Sequence, residues 1–347
     1  MTDLLEELLR PHADAVERIE VAPGRWNLIA RFDGCDASRN YALEAHTDTV
    51  GIEGMQIDPF GGKLINGRLY GRGACDTKGP MAAMLLALLE AKATGIPLPA
   101  TWHFLATCDE ELGAIGAQEL MRSGFRCDGI VVGEPTDLAV LRAHKGAARY
   151  RLRLHGRAAH SAYPEEGVHA LHAAGAFMRY LEKANATAER IHANHPLGPS
   201  TYSVGTLRGG DQVNRIPDGA QMEIDCRLIP EQDVTSTTND LEAILATIET
   251  ARPGLSHELE QTQSYPGFVY AEKGKFHPLV EALAAEGNGY SHARYTTNAG
   301  FYTAAHIPTI VFGPGSVRQA HTADEWIDLD EARRAKDLLF KRIMETG

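Results

Sequence analysis

The hydrophobic period changes partway along this chain of 347 residues, and the change sharply restricts the folds open to it. Up to about residue 145, short apolar runs alternate with longer helical stretches. Residues 41–45, 101–107 and 129–132 read as buried strands. Residues 79–92 and 112–122 read as helices, the first nearly apolar on all sides. Such alternation predicts βαβ units and a mainly parallel sheet covered on both faces. In Arg149-Tyr-Arg-Leu-Arg-Leu154 the pattern becomes strictly alternate, and Met222, Ile224, Cys226 and Leu228 repeat it. Period two predicts an antiparallel sheet with one face in solvent. Helical stretches at about 168–183 and 235–251 complete a β-α-β-β-α-β order, the signature of a ferredoxin-like unit. After about residue 265 the buried pattern returns, with a strand at 308–312 and a closing helix at 329–345. The expectation is an α/β chain with two domains, as its length also suggests. One is formed by 1–146 plus 263–347, and an α+β domain at 147–262 is inserted into it.

Charge and cysteine usage narrow the classes of function. A formal net charge of −12 argues against a nucleic-acid surface, which needs a basic face. It does not exclude a small anionic substrate, since local cations suffice. Five cysteines, with no C-x-x-C pair, read as reduced thiols of a cytoplasmic protein. The N-terminus is acidic where a signal peptide would be basic. The longest apolar run, 81–89, is too short to span a bilayer, so no membrane partner is expected.

Five segments carry potential chemistry. Leu43-Glu-Ala-His46-Thr-Asp48 ends a strand with a His and an Asp aimed to the same side. An Asp so placed can accept the second ring N–H of a metal-bound His, although H-x-D alone reads equally as a polar strand end. Gly71-Arg-Gly-Ala-Cys-Asp76-Thr-Lys-Gly-Pro80 leads into the apolar helix, and Asp76 taken singly reads as a helix cap. Cys108-Asp-Glu110-Glu111 places three acids in apolar surroundings, where they repel one another unless cations compensate. One of the two glutamates can then ligate while its neighbour stays free as a base. Glu134 follows the strand 129–132, and His321 lies in the loop after the last buried strand.

Every one of these residues is expected just past the C-terminal end of a buried strand, where open α/β sheets build their sites. Two histidines and several carboxylates suit a pair of borderline divalent metals such as zinc, one carboxylate bridging.

Together these segments, in this order, resemble the dinuclear zinc aminoacylase and carboxypeptidase family, and most closely its acetylornithine deacetylase and succinyl-diaminopimelate desuccinylase branch. The resemblance spans nearly the whole chain. It implies a zinc-peptidase-like catalytic domain and an inserted dimerisation (lid) domain at 147–262, through which a homodimer forms. It implies two divalent metals, zinc or alternatively cobalt or manganese. His46, Asp76 and Glu134 would hold one and Asp76, Glu111 and His321 the other. Asp48 would orient His46, and Glu110 would be the general base. A cis peptide would fall at Asp76–Thr77.

In the inserted domain, Gly156-Arg-Ala-Ala-His160 and Gly209-Gly-Asp-Gln-Val-Asn214 resemble segments that reach into the partner subunit's site. Arg227 would bind a substrate carboxylate, with Thr296 as a further substrate contact. The implied activity is removal of an acyl group from an N-acyl amino acid, acetylornithine deacetylase-like, with desuccinylase or dipeptidase activity as alternatives. The sequence departs from the family pattern at Asn298, usually Asp, and at Gly300, often Arg. These departures bear on substrate preference rather than on the metals. The family's first helix and Pro-Ser turn also find no match here, as though the sequence began within a later helix.

Overall fold

Pro23 and Gly24 turn the strand Ala15–Ala22 back into Arg25–Phe32, with Gly24 at a φ of 74° that favours glycine. The computed structural model describes residues 1–345. This hairpin opens a nine-stranded sheet. Its order runs Ala15–Ala22, Arg25–Phe32, Leu98–Thr107, Gly34–His46, Gly129–Val132, Thr309–Val311, Val140–His144 and Phe268–Val269, with Tyr290–Ala293 also paired to Val140–His144.

The sheet is mixed, which corrects the expectation of a mainly parallel one. The four central strands, from Leu98–Thr107 to Thr309–Val311, are mutually parallel. The hairpin and Val140–His144 run antiparallel to them. The P-G turn signal between two strand-like runs marks the hairpin in the sequence. The parallel strands are short and apolar because they are buried on both faces: 129–132 is wholly buried, as are 41–46. Gly79–Ala93 packs against the closing helix Leu329–Glu345 and buries residues on most of its surface, leaving Ala82, Leu86, Glu90 and Ala93 exposed. The helix expected at 112–122 starts only at Ile115, because 109–114 forms a turn with Ala114 at positive φ.

The chain forms two compact units. One comprises 1–143, 268–292 and 297–347, of which the described part ends at residue 345. The other comprises 144–267 and 293–296. The second has a four-stranded antiparallel sheet in the order Thr201–Gly209, Gly219–Leu228, Gly146–His155, Ser256–Tyr265. The helices Ala170–Ile191 and Val234–Thr250 complete the βαββαβ connection of a ferredoxin-like unit. The alternation at 149–154 now has its cause. Tyr150, Leu152 and Leu154 enter the core with Phe177, Met222, Ile224 and Leu241. Arg149, Arg151 and Arg153 lie on the other face and pair across strands with Asp225, Glu223, Glu260 and Glu258. The first helix runs eight residues beyond the expected 183, since nothing in 184–191 interrupts it.

Among the described residues no helix is long and apolar enough to cross a membrane.

Candidate active site

His46 is the last residue of its strand, buried, with its ring held from both sides. Nδ1 meets the main-chain carbonyl of Asp48 at 3.0 Å, and Nε2 meets Asp76 Oδ1 at 3.1 Å. The Asp48 carboxylate lies farther from Nδ1, at 3.5 Å. Its main partners are the backbone N–H groups of Glu110 at 3.1 Å and Glu111 at 3.0 Å. Asp48 therefore touches His46 chiefly through its backbone and anchors the acidic turn through its side chain.

That turn is also tied from behind. Buried Asn27 accepts from Cys108 N–H and donates to the Gly116 carbonyl, while Arg25 pairs with Asp109 at 2.6 Å. These bonds tie the 108–116 segment, which carries Glu110 and Glu111, to the strand Arg25–Phe32.

Asp76 does not follow a buried strand, contrary to expectation. It lies beyond Arg68–Tyr70, the central strand of a small three-stranded sheet, in a loop joined to the apolar helix. Nor does it cap that helix: its Oδ1 faces His46, and its Oδ2 lies 3.2 Å from His321 Nε2. The Asp76–Thr77 peptide is cis, as the resemblance implies. His321 Nε2 also meets Glu111 Oε1 at 3.0 Å, and Glu134 Oε1 lies 4.0 Å from His46 Nε2.

The structure thus brings together all five residues anticipated as ligands. They form two sets, His46 with Glu134 and Glu111 with His321, and one oxygen of Asp76 is turned to each. Zinc bonds of about 2.1 Å at tetrahedral angles separate ligand atoms by roughly 3.4 Å, and the spacings here run from 3.0 to 4.0 Å. His46, Asp76 and Glu111 present ligand atoms all within 4.8 Å of one another.

The electrostatics suit cations. Burial pushes the Glu134 carboxyl well above its usual range, with Asp76 and Glu110 adding repulsion. Burial likewise raises Glu110 to about 8, helped by Glu111 and Asp76 and opposed by His46. Burial alone would raise Asp76 too, but hydrogen bonds from His321 and His46 outweigh it and hold that carboxyl low. Hydrogen bonds to Asp76 and then to Glu111 push His321 up to about 10. Several acids crowded in a low-dielectric site stay ionised together only if positive charge joins them. The donor set of imidazoles and carboxylates fits two divalent metals.

Two further polar groups went unrecognised in the sequence. Glu325, fully buried, accepts from Arg72 and from the backbone of the Asp76 loop. Glu44, also fully buried, accepts from Thr107 at 2.5 Å and from Asn298 Nδ2 at 3.0 Å. That contact explains the departure at 298: an amide donates to the Glu44 carboxyl, where an aspartate would set a second acid against it. A charged residue inside the apolar run 41–46 was the available signal.

The remaining candidates lie in the second unit. The short strand Ala159–His160 pairs with Arg215–Ile216, and Ser161 N–H donates to the Asn214 carbonyl, so His160 and Asn214 lie on neighbouring segments. His160 is exposed, its Nδ1 accepting from Ala162 N–H. Arg227, on the strand Gly219–Leu228 of the separate four-stranded sheet, pairs with Asp225 at 2.7 Å. Thr296, half-buried, is two residues from Arg294. Lys145 is buried, and its ammonium donates to the Pro199 carbonyl. Burial, then repulsion from Arg294 and Arg227, lowers the Lys145 pKa.

Comparison with known proteins agrees with this geometry. The sequence profile of peptidase family M20/M25/M40 matches residues 42–345. An acetylornithine deacetylase from Myxococcus xanthus is 32% identical over 322 residues, covering 91% of this chain and 83% of the relative. A tripeptidase from Staphylococcus aureus superposes with a TM-score of 0.80 at 21% identity, over 99% of this chain and 91% of that one. A dinuclear metal-binding M20 peptidase from Bacillus subtilis gives a TM-score of 0.71 at 18% identity, over 100% and 92%. The profile match and the relative's coverage make this chain a metal-dependent hydrolase belonging to peptidase family M20/M25/M40.

Proposed function

We propose that the chain hydrolyses the amide bond of an N-acyl amino acid, with acetylornithine-like substrates first among those to test. The observation that carries this reading is the pair of Asp76 oxygens turned to two separate ligand sets, with the half-buried Glu110 close enough to interact with Asp76. His46, Asp76 and Glu134 would hold one divalent ion, and Asp76, Glu111 and His321 the other. Zinc suits the donors best, with cobalt or manganese as substitutes. When bound, the two ions supply Lewis acidity and make a water acidic near neutral pH.

The chain's own residues then do the rest. Glu110, not needed as a ligand, takes the proton of the attacking water and delivers it to the departing nitrogen. A carboxyl whose burial raises its affinity for protons suits both duties. Asp48 holds the Glu110–Glu111 backbone so that the two side chains keep their separate tasks. Arg227 and Thr296 would meet the substrate, its carboxylate on Arg227. His160 and Asn214, supplied by a second copy through the inserted 147–262 lid domain, would complete the site in a homodimer.

One observation favours a second substrate class. In the second unit Arg294 and Arg227 each repel the Lys145 ammonium, and of the three only Arg227 has an ion-paired carboxylate among the described residues. An acyl group carrying its own carboxylate, such as succinyl, would relieve that repulsion.

The test is a panel of acetyl-amino acids, succinyl-amino acids and dipeptides with wild type and Glu110→Gln. The variant should keep its metals and lose turnover, and wild-type rates in it would overturn the assignment. No hydrolysis by the wild type across the panel would overturn the reaction class.

A further inference from the structure

Glu325 has no role in the chemistry above, yet it gathers the loop that carries Asp76. Its Oε2 accepts from Arg72 Nη1 at 2.7 Å and from Gly73 N–H at 2.9 Å. Its Oε1 accepts from the backbone N–H groups of Cys75 at 2.8 Å and Asp76 at 2.9 Å. Its main-chain carbonyl takes Gly71 N–H at 3.1 Å. Strand register explains the convergence. Trp326–Asp328 pairs antiparallel with Arg68–Tyr70, Trp326 opposite Tyr70, so residue 325 faces the chain as it leaves that strand. The loop is not a regular helix: Gly73 has a φ of 79°, and Asp76 is extended at φ −117° and ψ 90°. Its N–H groups at 73, 75 and 76 find their acceptor in one buried carboxylate rather than in the loop itself.

A buried Arg72–Glu325 ion pair alone would be a structural feature of uncertain net worth. The bonds to Cys75 and Asp76 N–H go further, because they fix the backbone on which the Asp76 carboxylate turns. We propose that Glu325 is the positioning residue that sets Asp76 to face both ligand sets at once. The inference rests on the reading of Asp76 as a shared metal ligand. It also links the two ligand loops, since His321 lies four residues before Glu325 in the same segment.

Glu325→Gln tests it with little change in shape. A side-chain amide has one accepting oxygen and an NH₂ that accepts nothing. Whichever way it flips, two donors are stranded: Arg72 and Gly73, or Cys75 and Asp76.

The experiment takes the full-length protein as wild type, Glu325→Gln and Glu325→Asp, stripped of metal and titrated with Co²⁺ alone. Calorimetry reads the number and affinity of sites, and the visible spectrum reads their coordination. Thermal unfolding is followed with and without the ion. Wild type should bind two ions. Glu325→Gln should still unfold cooperatively, bind cobalt roughly 10- to 100-fold more weakly at one site or both, and show an altered spectrum. Its gain in Tm on adding cobalt should shrink accordingly, and kcat should fall with KM little changed.

Wild-type cobalt affinity and spectrum in Glu325→Gln would overturn the proposal. Should that variant not fold, Glu325→Asp is read the same way, since it keeps the charge but falls one methylene short. Weakened cobalt binding in it supports the proposal, and unchanged binding overturns it. A wild type that binds no cobalt would overturn the metal reading and this inference with it. Normal wild-type binding beside an unaffected variant overturns the inference alone.

Discussion

The side chain of Asp48 accepts the backbone N–H of Glu111 at 3.0 Å, its other oxygen taking that of the neighbouring Glu110. One carboxylate thereby fixes both a proposed metal ligand and the proposed base. Asp48→Asn puts an NH₂ against one of these N–H groups, which it cannot accept. The expected result is a fall in kcat of roughly 10- to 100-fold with the fold retained. Steady-state kinetics beside circular dichroism would check it, and an unchanged kcat would contradict the role.

Metal removal should act on stability as well as on rate. Chelation should abolish hydrolysis and lower the unfolding temperature, because ions that bind only the folded chain stabilise it by about 4 kcal/mol at 1,000 times their Kd. Asp76→Ala should lose both metals, whereas Glu134→Ala and Glu111→Ala should each lose one. Atomic emission analysis of the purified variants reads this directly. Equal metal content in all three would contradict the shared role of Asp76.

Stability of the second unit should depend on pH through His257. Its Nε2 and Nδ1 each lie 2.7 Å from a carboxylate, Glu242 and Glu249. Burial alone would lower its pKa from 6.5, but these two partners outweigh burial and raise it. A group with a raised folded pKa contributes stability that is fully present below its unfolded pKa and is lost as pH rises through the folded one. The difference in Tm between wild type and His257→Gln should therefore be larger at pH 6 than at pH 9. A difference that grows with pH would contradict the assignment.

The pairing of Glu44 with Asn298 predicts a charge-dependent core. Asn298→Asp sets two acids together in a fully buried site and removes a donor. It should destabilise the protein by about 2 kcal/mol or more. Adding Glu44→Gln should restore part of the loss, because the new amide can donate to the new carboxylate. Denaturant unfolding of the four proteins in this cycle measures it, and strict additivity would sink the pairing.

Much of the site was legible because chemistry sits where parallel strands end. His46, Glu111 and Glu134 each lie at or just past a short apolar run, and the runs marked them. Asp76 was found by its company rather than its position, since the strand before it is short and lies in a separate sheet. Glu325 and Asn27 were not legible. Their partners are 249–253 and 81–89 residues away, and only the registers of Trp326–Asp328 and of the opening hairpin bring them close. The opening hairpin of the main sheet has little beyond its Pro23-Gly24 turn to mark it in the sequence. The hairpin strand Ala15–Ala22 is exposed or only half-buried, so it lacks the continuous apolar run that betrays a central strand. The alternating strands of the second unit were plain, because one sheet face is core and the other is a ladder of arginines and acids.

The central claim is that Asp76 bridges two metal ions, and anomalous diffraction from zinc-soaked crystals tests it most directly. The account predicts two zinc peaks, one beside each Asp76 oxygen, the first ligated by His46 and Glu134 and the second by Glu111 and His321. A single peak, or zinc bound away from Asp76, would contradict it.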